Sequence, residues 1–152
     1  MHPPTTSAAP STTPQGTSVI SRELGVMLVD DEAAYLDLLQ QLLGEQLACP
    51  VHSFTRSREA LSALPGLNIG LIVTDYHMPG LDGLEFLHEV EKIRPGLPAV
   101  MITAHEIELS SGPAARLSCL RAIVRKPFKW TVLAEEISRY WTGSRPPFPF
   151  SR

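Results

Sequence analysis

Val26-Met27-Leu28-Val29-Asp30-Asp31 is a short, unbroken apolar run that ends on two carboxylates. The pattern recurs three times. Leu71-Ile72-Val73-Thr74 leads into Asp75, Ala99-Val100-Met101-Ile102 into Thr103, and Ala122-Ile123-Val124-Arg125 into Lys126. Runs that are apolar throughout, rather than alternating, suit strands covered on both faces, as in a parallel sheet. The carboxyl ends of such strands line one crevice, and ligands bind there. The four runs therefore predict a single pocket holding three carboxylates, a hydroxyl and an ammonium. That set suits a divalent cation and a phosphoryl group.

Helical patterns fill the spaces between the strands. Leu36, Leu39 and Leu43, flanked by Leu38 and Leu42, keep a helical period up to Gly44. Pro50 to Phe54 reads as a further short strand. Ser57 is placed to cap a helix carrying Ala60, Leu61 and Leu64, stopped by Pro65-Gly66. Asp82 and Glu85 have capping-box spacing ahead of Phe86, Leu87, Val90 and Ile93, and Pro95-Gly96 ends that helix. A fourth helix is expected to be irregular or mobile, because Gly112-Pro113 interrupts it. Trp130, Leu133, Ile137 and Tyr140 form the last helical stripe. Five strands interleaved with five helices give an α/β domain, doubly wound around a parallel sheet.

The chain has 152 residues and a formal net charge of −3, so it has no global attraction to nucleic acid or anionic lipid. Residues 1–21, rich in Pro, Thr and Ser, are expected to form a disordered tail; residues 22–142 form the domain, and 143–152 a Pro-rich tail. Phe148 and Phe150 either fold back or contact a partner. Cys49 and Cys119 lack metal-ligand spacing and read as free thiols. With no secretory signal pattern and no apolar run of the ~18 residues that cross a bilayer, a cytoplasmic location without membrane contact is expected.

Two carboxylates about 5 Å apart repel by roughly 3 kcal/mol at an effective dielectric of about 20. Three together are unfavourable unless cations sit among them. Lys126 is one, and hard oxygen ligands that fill only part of an octahedron favour Mg²⁺ as the other. The rival reading, in which Asp30 and Asp31 merely cap the first helix, leaves Asp75 and Lys126 at matching strand ends unexplained.

These residues resemble the receiver domain of bacterial two-component response regulators. The resemblance rests on Val29-Asp30-Asp31-Glu32, Thr74-Asp75-Tyr76-His77-Met78-Pro79-Gly80-Leu81-Asp82-Gly83, Met101-Ile102-Thr103-Ala104 and Val124-Arg125-Lys126-Pro127-Phe128, in order over about Gly25 to Trp141. It implies a flavodoxin-like (βα)5 domain with strand order 2-1-3-4-5. It implies that Asp75 accepts a phosphoryl group from a phosphohistidine on a sensor histidine kinase or phosphotransfer protein. It further implies Mg²⁺ bound directly by Asp31, Asp75 and the backbone carbonyl of His77, with Asp30 helping through water, Thr103 and Lys126 contacting the phosphoryl oxygens, and Lys126-Pro127 in the cis form. Such a domain is a signalling device rather than an enzyme, although it takes part in its own phosphorylation and dephosphorylation. The output is a change in protein contacts with an unidentified downstream protein, and dimerisation on phosphorylation is left open.

Several positions depart from that pattern. Ile123 stands where most receivers carry Tyr or Phe, which puts the usual aromatic switch in doubt. Cys119-Leu120 replaces a common Gly-Ala pair. His77 and His105 are either exposed loop residues or modulators of aspartyl-phosphate lifetime. Arg116, Arg121 and Arg125 are either a solvated strip or a docking patch for an acidic partner. No helix-turn-helix segment follows, so direct DNA reading is not expected. Two other functions compete: a receiver-like interaction module that works without phosphorylation, and an aspartyl-phosphate phosphohydrolase. The second needs an acid two residues after the nucleophile, where this chain has His77.

Overall fold

The computed structural model describes residues 23–143 and Pro147. The tail expected over residues 1–21 lies outside them, as do Phe148 and Phe150. Strands β1 (Gly25–Val29), β2 (Val51–Phe54), β3 (Ile69–Asp75), β4 (Ala99–Thr103) and β5 (Leu120–Arg125) form one sheet. All pairings are parallel and the order is β2-β1-β3-β4-β5. The inner strands β1, β3 and β4 are buried at every residue, which explains their unbroken apolar runs. β5, at an edge, alternates buried and exposed positions over most of its length.

Alternate residues of each strand feed two apolar layers, because side chains in a strand point to opposite faces in turn. Met27, Val29, Ile72 and Met101 face α2 (Ser57–Ala63) and α3 (Gly83–Ile93), where Ala60, Phe86, Leu87 and Val90 are fully buried. Val26, Leu28, Leu71, Val73, Val100 and Ile102 face α1 (Ala33–Gln46) and α4 (Trp130–Tyr140), through Leu36, Leu39, Leu43, Leu133 and Ile137. Each fully buried Leu, Ile or Phe contributes about 1.5–3 kcal/mol relative to exposure. The two layers hold the sheet rigid, and the site stands on its carboxyl edge.

The sequence expectations need four corrections. Among the described residues there are four α-helices, not five. The link from β4 to β5 contains only a 3-10 turn, Gly112–Arg116, and this agrees with the irregularity expected there. Gly112 has φ +66°, and Pro113 has no N–H to donate, so an α-helix cannot propagate through the pair. Ala114 and Leu117 still anchor the turn in the α2/α3 layer. Ser57 does not cap α2: the helix begins on it, and its hydroxyl donates to the Leu81 carbonyl at 3.3 Å. α1 continues through Gly44 to Gln46. Trp130 opens α4 but remains exposed, so the buried stripe is Leu133 and Ile137.

The capping box is present as read. Asp82 Oδ1 accepts from the Glu85 N–H at 2.9 Å, and Glu85 Oε1 accepts from the Asp82 N–H at 3.4 Å. Beyond α4, the Thr142 hydroxyl donates to the Gly70 carbonyl at 2.8 Å, and the Ala48 N–H donates to the Pro147 carbonyl at 2.6 Å. No helix among the described residues is long and apolar enough to cross a membrane.

Candidate functional site

Sheet register assembles the site. Val29 pairs with Thr74, Asp75 with Ile102, and Thr103 with Arg125, so the residues that follow β1 and β5 lie beside Asp75 and Thr103. Carboxylate oxygens of Asp30, Asp31 and Asp75 all lie within 4.8 Å of one another. Asp30 and Asp75 are buried, while Asp31 is exposed. Lys126 Nζ stands 3.8 Å from Asp30 Oδ2 and 3.7 Å from Asp75 Oδ1. Its peptide bond to Pro127 is cis, and its backbone N–H donates to the Thr103 carbonyl at 2.8 Å.

Backbone donors hold the acids in place. Asp30 Oδ1 accepts from the Glu32 N–H at 2.9 Å, and Asp75 Oδ1 from the Tyr76 N–H at 2.9 Å. Neither aspartate is the N-cap of α1: that position is Glu32, which makes no side-chain cap. Thr103 Oγ1 accepts from the His105 N–H at 2.9 Å, which leaves the threonine's own hydroxyl proton free to donate elsewhere. The Asp75 loop closes tightly over α3. The Gly83 N–H donates to the Tyr76 carbonyl at 2.7 Å, and a Cβ on Gly83 would lie 2.5 Å from the Asp75 carbonyl oxygen.

Electrostatics and burial oppose the ionised acids. Burial is the largest effect on Asp30 and pushes its carboxyl up to about 6; the Glu32 N–H opposes this, and neighbouring Asp75 adds to it. Burial also raises Asp75, against the pull of Lys126 and of the Tyr76 N–H. One ammonium among three carboxylates leaves the group at a formal charge of −2 when all are ionised. Asp30 Oδ2 is buried and accepts no hydrogen bond, although such groups are nearly always satisfied in native proteins. An oxygen-preferring divalent cation would satisfy that atom and offset the charge, so these residues fit Mg²⁺.

The remaining candidates divide. His77 and His105 are exposed, with ring centroids 5.9 Å apart, and the His105 ring meets Tyr76 edge-on at 6.0 Å. Ile123 pairs with Met101 and packs, half-buried, against the α2/α3 layer, so no aromatic ring stands at that position. Arg116, Arg121 and Arg125 are exposed, and Arg125 meets Glu106 at 3.4 Å. Cys119 is buried and Cys49 half-buried, both as free thiols; burial pushes them up to about 12 and about 11.

Tyr35 is the neighbour that sequence reasoning missed. Its ring lies under the ammonium of Lys126, with Nζ 4.5 Å from the centroid. Burial, and then the charges of Asp30 and Asp75, raise its phenol to about 12, so it stays protonated. An aromatic residue in the first turn of the helix that follows the acid pair was the available signal.

Comparison with known proteins agrees with this geometry. The family model described as the response regulator receiver domain matches residues 26–138. The transcriptional regulatory protein FixJ of Bradyrhizobium diazoefficiens is 34% identical over 104 residues, 68% of this chain and 50% of that protein. The DNA-binding transcriptional regulator NtrC of Salmonella typhimurium is 32% identical over 104 residues, 68% of this chain and 22% of its own. The chain thus spans half or less of the length of these relatives. Among solved structures, the response regulator protein TrrA from Thermotoga maritima, in complex with Mg²⁺-BeF, superposes with a TM-score of 0.68 at 26% identity, covering 77% of this chain and 98% of that one. The signal receiver domain of an HD domain-containing protein from Pseudomonas fluorescens shares the fold, with a TM-score of 0.70 at 22% identity over 78% of this chain and 94% of its own. By the match over residues 26–138 and by the sheet order it shares with these structures, the chain belongs to the family of response regulator receiver domains.

Proposed function

We propose that Asp75 is the phosphoryl acceptor of this receiver domain and that the donor is a phosphohistidine on a sensor kinase or phosphotransfer protein. The observation that carries this reading is the placement of Lys126 Nζ within 3.8 Å of two buried carboxylates, one of which has an oxygen without a hydrogen-bond donor. In the transfer, a carboxylate oxygen of Asp75 forms a bond to phosphorus as the phosphorus–nitrogen bond to the donor imidazole breaks. Asp30, Asp31, Asp75 and the His77 carbonyl would hold Mg²⁺, which when bound offsets charge on the acids and on the transferring oxygens. Lys126 supplies a second positive group to those oxygens. The Thr103 hydroxyl, its oxygen already engaged by the His105 N–H, donates its proton to the new phosphoryl group.

That contact draws the segment after β4 toward Asp75 and changes the surface that a downstream protein, or a second copy of the chain, reads. With Ile123 in β5, no ring swings in response. The part that responds is instead the non-helical segment that joins β4 to the 3-10 turn Gly112–Arg116. The reading places the domain in the cytoplasm, as a signalling component rather than a turnover enzyme, with no nucleic-acid contact of its own.

Ile123 and the missing helix favour a second reading, a receiver fold that binds partners without being phosphorylated. Incubation with Mg²⁺ and a small phosphodonor, followed by intact-mass measurement, separates the two. The expected result is the gain of one phosphoryl group, lost in D75N and in EDTA. An unmodified wild-type protein would favour the second reading.

A further inference from the structure

We propose that Tyr35 is a positioning residue for phosphoryl transfer, holding the Lys126 ammonium at the transfer point through the face of its ring. The inference rests on the reading of Asp75 as phosphoryl acceptor and adds a residue to that site. Among the described residues, Asp30 and Asp75 form ion pairs only with Lys126, at 3.8 and 3.7 Å. Both distances exceed hydrogen-bond length, so the carboxylates attract the ammonium without fixing it. A lysine head carries three rotatable donors on a flexible stem, and something else must restrict where it sits.

The ring of Tyr35 does this from the opposite element. Tyr35 stands in the first turn of α1, half-buried against the α1/α4 layer, while Lys126 follows β5. Nζ lies 4.5 Å from the ring centroid, well inside the range in which the negative face of an aromatic ring attracts a cation. The ring face attracts the charge but offers no lone-pair oxygen to compete with the carboxylates or with an arriving phosphoryl oxygen for the ammonium's donors. A carboxylate at position 35 would compete for those donors, and an aliphatic side chain would not attract the charge. The phenolic hydroxyl has no part in this role, so phenylalanine should replace tyrosine and leucine should not.

The test compares wild type, Y35F and Y35L, each alone and combined with K126Q, in phosphorylation by acetyl phosphate with Mg²⁺. Y35L should be phosphorylated about five- to tenfold more slowly, a change of about 1–1.4 kcal/mol, and Y35F should retain at least half the wild-type rate. In the K126Q background, Y35L should add no further loss. NMR supplies a readout independent of chemistry: the Lys126 ε-methylene protons should be shifted upfield by the ring in wild type and Y35F, but not in Y35L. Equal rates in Y35L and wild type, an equal loss in the K126Q background, or ε-methylene protons at the ordinary position in wild type would each overturn the role of Tyr35. If wild type accepts no phosphoryl group at all, the reading of Asp75 fails, and this inference fails with it.

Discussion

Replacing Asp30 with asparagine should make the metal-free protein more stable. Asp30 is 3% exposed, and its carboxyl is raised from 3.8 to about 6, chiefly by burial. Holding it ionised in the fold at pH 7 therefore costs about 3 kcal/mol relative to the unfolded chain. Asparagine has nearly the same shape and can still accept from the Glu32 N–H, bonded at 2.9 Å in the wild type. It removes the charge but leaves a buried amide with unfilled donors, so the expected gain is smaller, about 2 kcal/mol, or on the order of 5–10 °C in Tm. The sign with pH follows from the direction of the shift. Because the folded-state value lies above the unfolded one, the native protein binds more protons between pH 3.8 and about 6, and wild-type stability falls as pH rises through that window. The difference between D30N and wild type should thus be full at pH 7 and close toward pH 4. Urea unfolding in EDTA at pH 7.5, 6, 5 and 4 measures it. With Mg²⁺ at a hundred times its Kd, the wild type should gain about 2.7 kcal/mol, and D30N much less at the same concentration. A D30N protein no more stable than wild type at pH 7 without metal, or a gap that does not change with pH, would refute the reasoning.

Other substitutions probe the frame of the site. G83A should destabilise by about 2–4 kcal/mol, because the added Cβ would meet backbone at 2.5 Å from the Asp75 carbonyl oxygen and 2.9 Å from Tyr76 Cα; thermal unfolding should show the loss, and the Mg²⁺-dependent rise in Tm should shrink with it. E91A should cost about 1–3 kcal/mol in urea unfolding, since Glu91 Oε1 accepts from the Cys119 N–H and the Ser118 hydroxyl, both at 2.8 Å, where the chain enters β5. R94A should selectively loosen the turn after α2, because Arg94 donates to the Leu64 and Leu67 carbonyls; hydrogen exchange should rise around residues 64–67 and stay unchanged in β1.

The sheet and its acids were legible because the same residues answer to two constraints. Val26–Val29, Leu71–Val73 and Ala99–Ile102 must be apolar to lie between two helical layers, and each run stops near the edge where the chemistry begins. Asp82 and Glu85 were legible for a local reason, since a capping box depends only on residues three apart. Gly112-Pro113 likewise breaks a helix whatever surrounds it. One misreading was local, since Gly44 does not stop α1, which runs on to Gln46; the others concern tertiary surroundings. Ser57 has the chemistry of a cap, yet its hydroxyl serves the Leu81 carbonyl of a distant loop. Trp130 keeps the helical period but is the first residue of α4 and stays exposed. Tyr35 could not be assigned from α1 alone, because its significance comes from Lys126, ninety-one positions further along the chain.

The most direct test of the central claim is a crystal structure of the protein grown with Mg²⁺ and beryllofluoride. The account predicts beryllofluoride bonded to a carboxylate oxygen of Asp75, Mg²⁺ among Asp30, Asp31, Asp75 and the His77 carbonyl, and Lys126 and Thr103 turned toward the fluorines. An unmodified Asp75 with the three aspartates free of metal, at concentrations of both reagents that saturate other receivers, would contradict it.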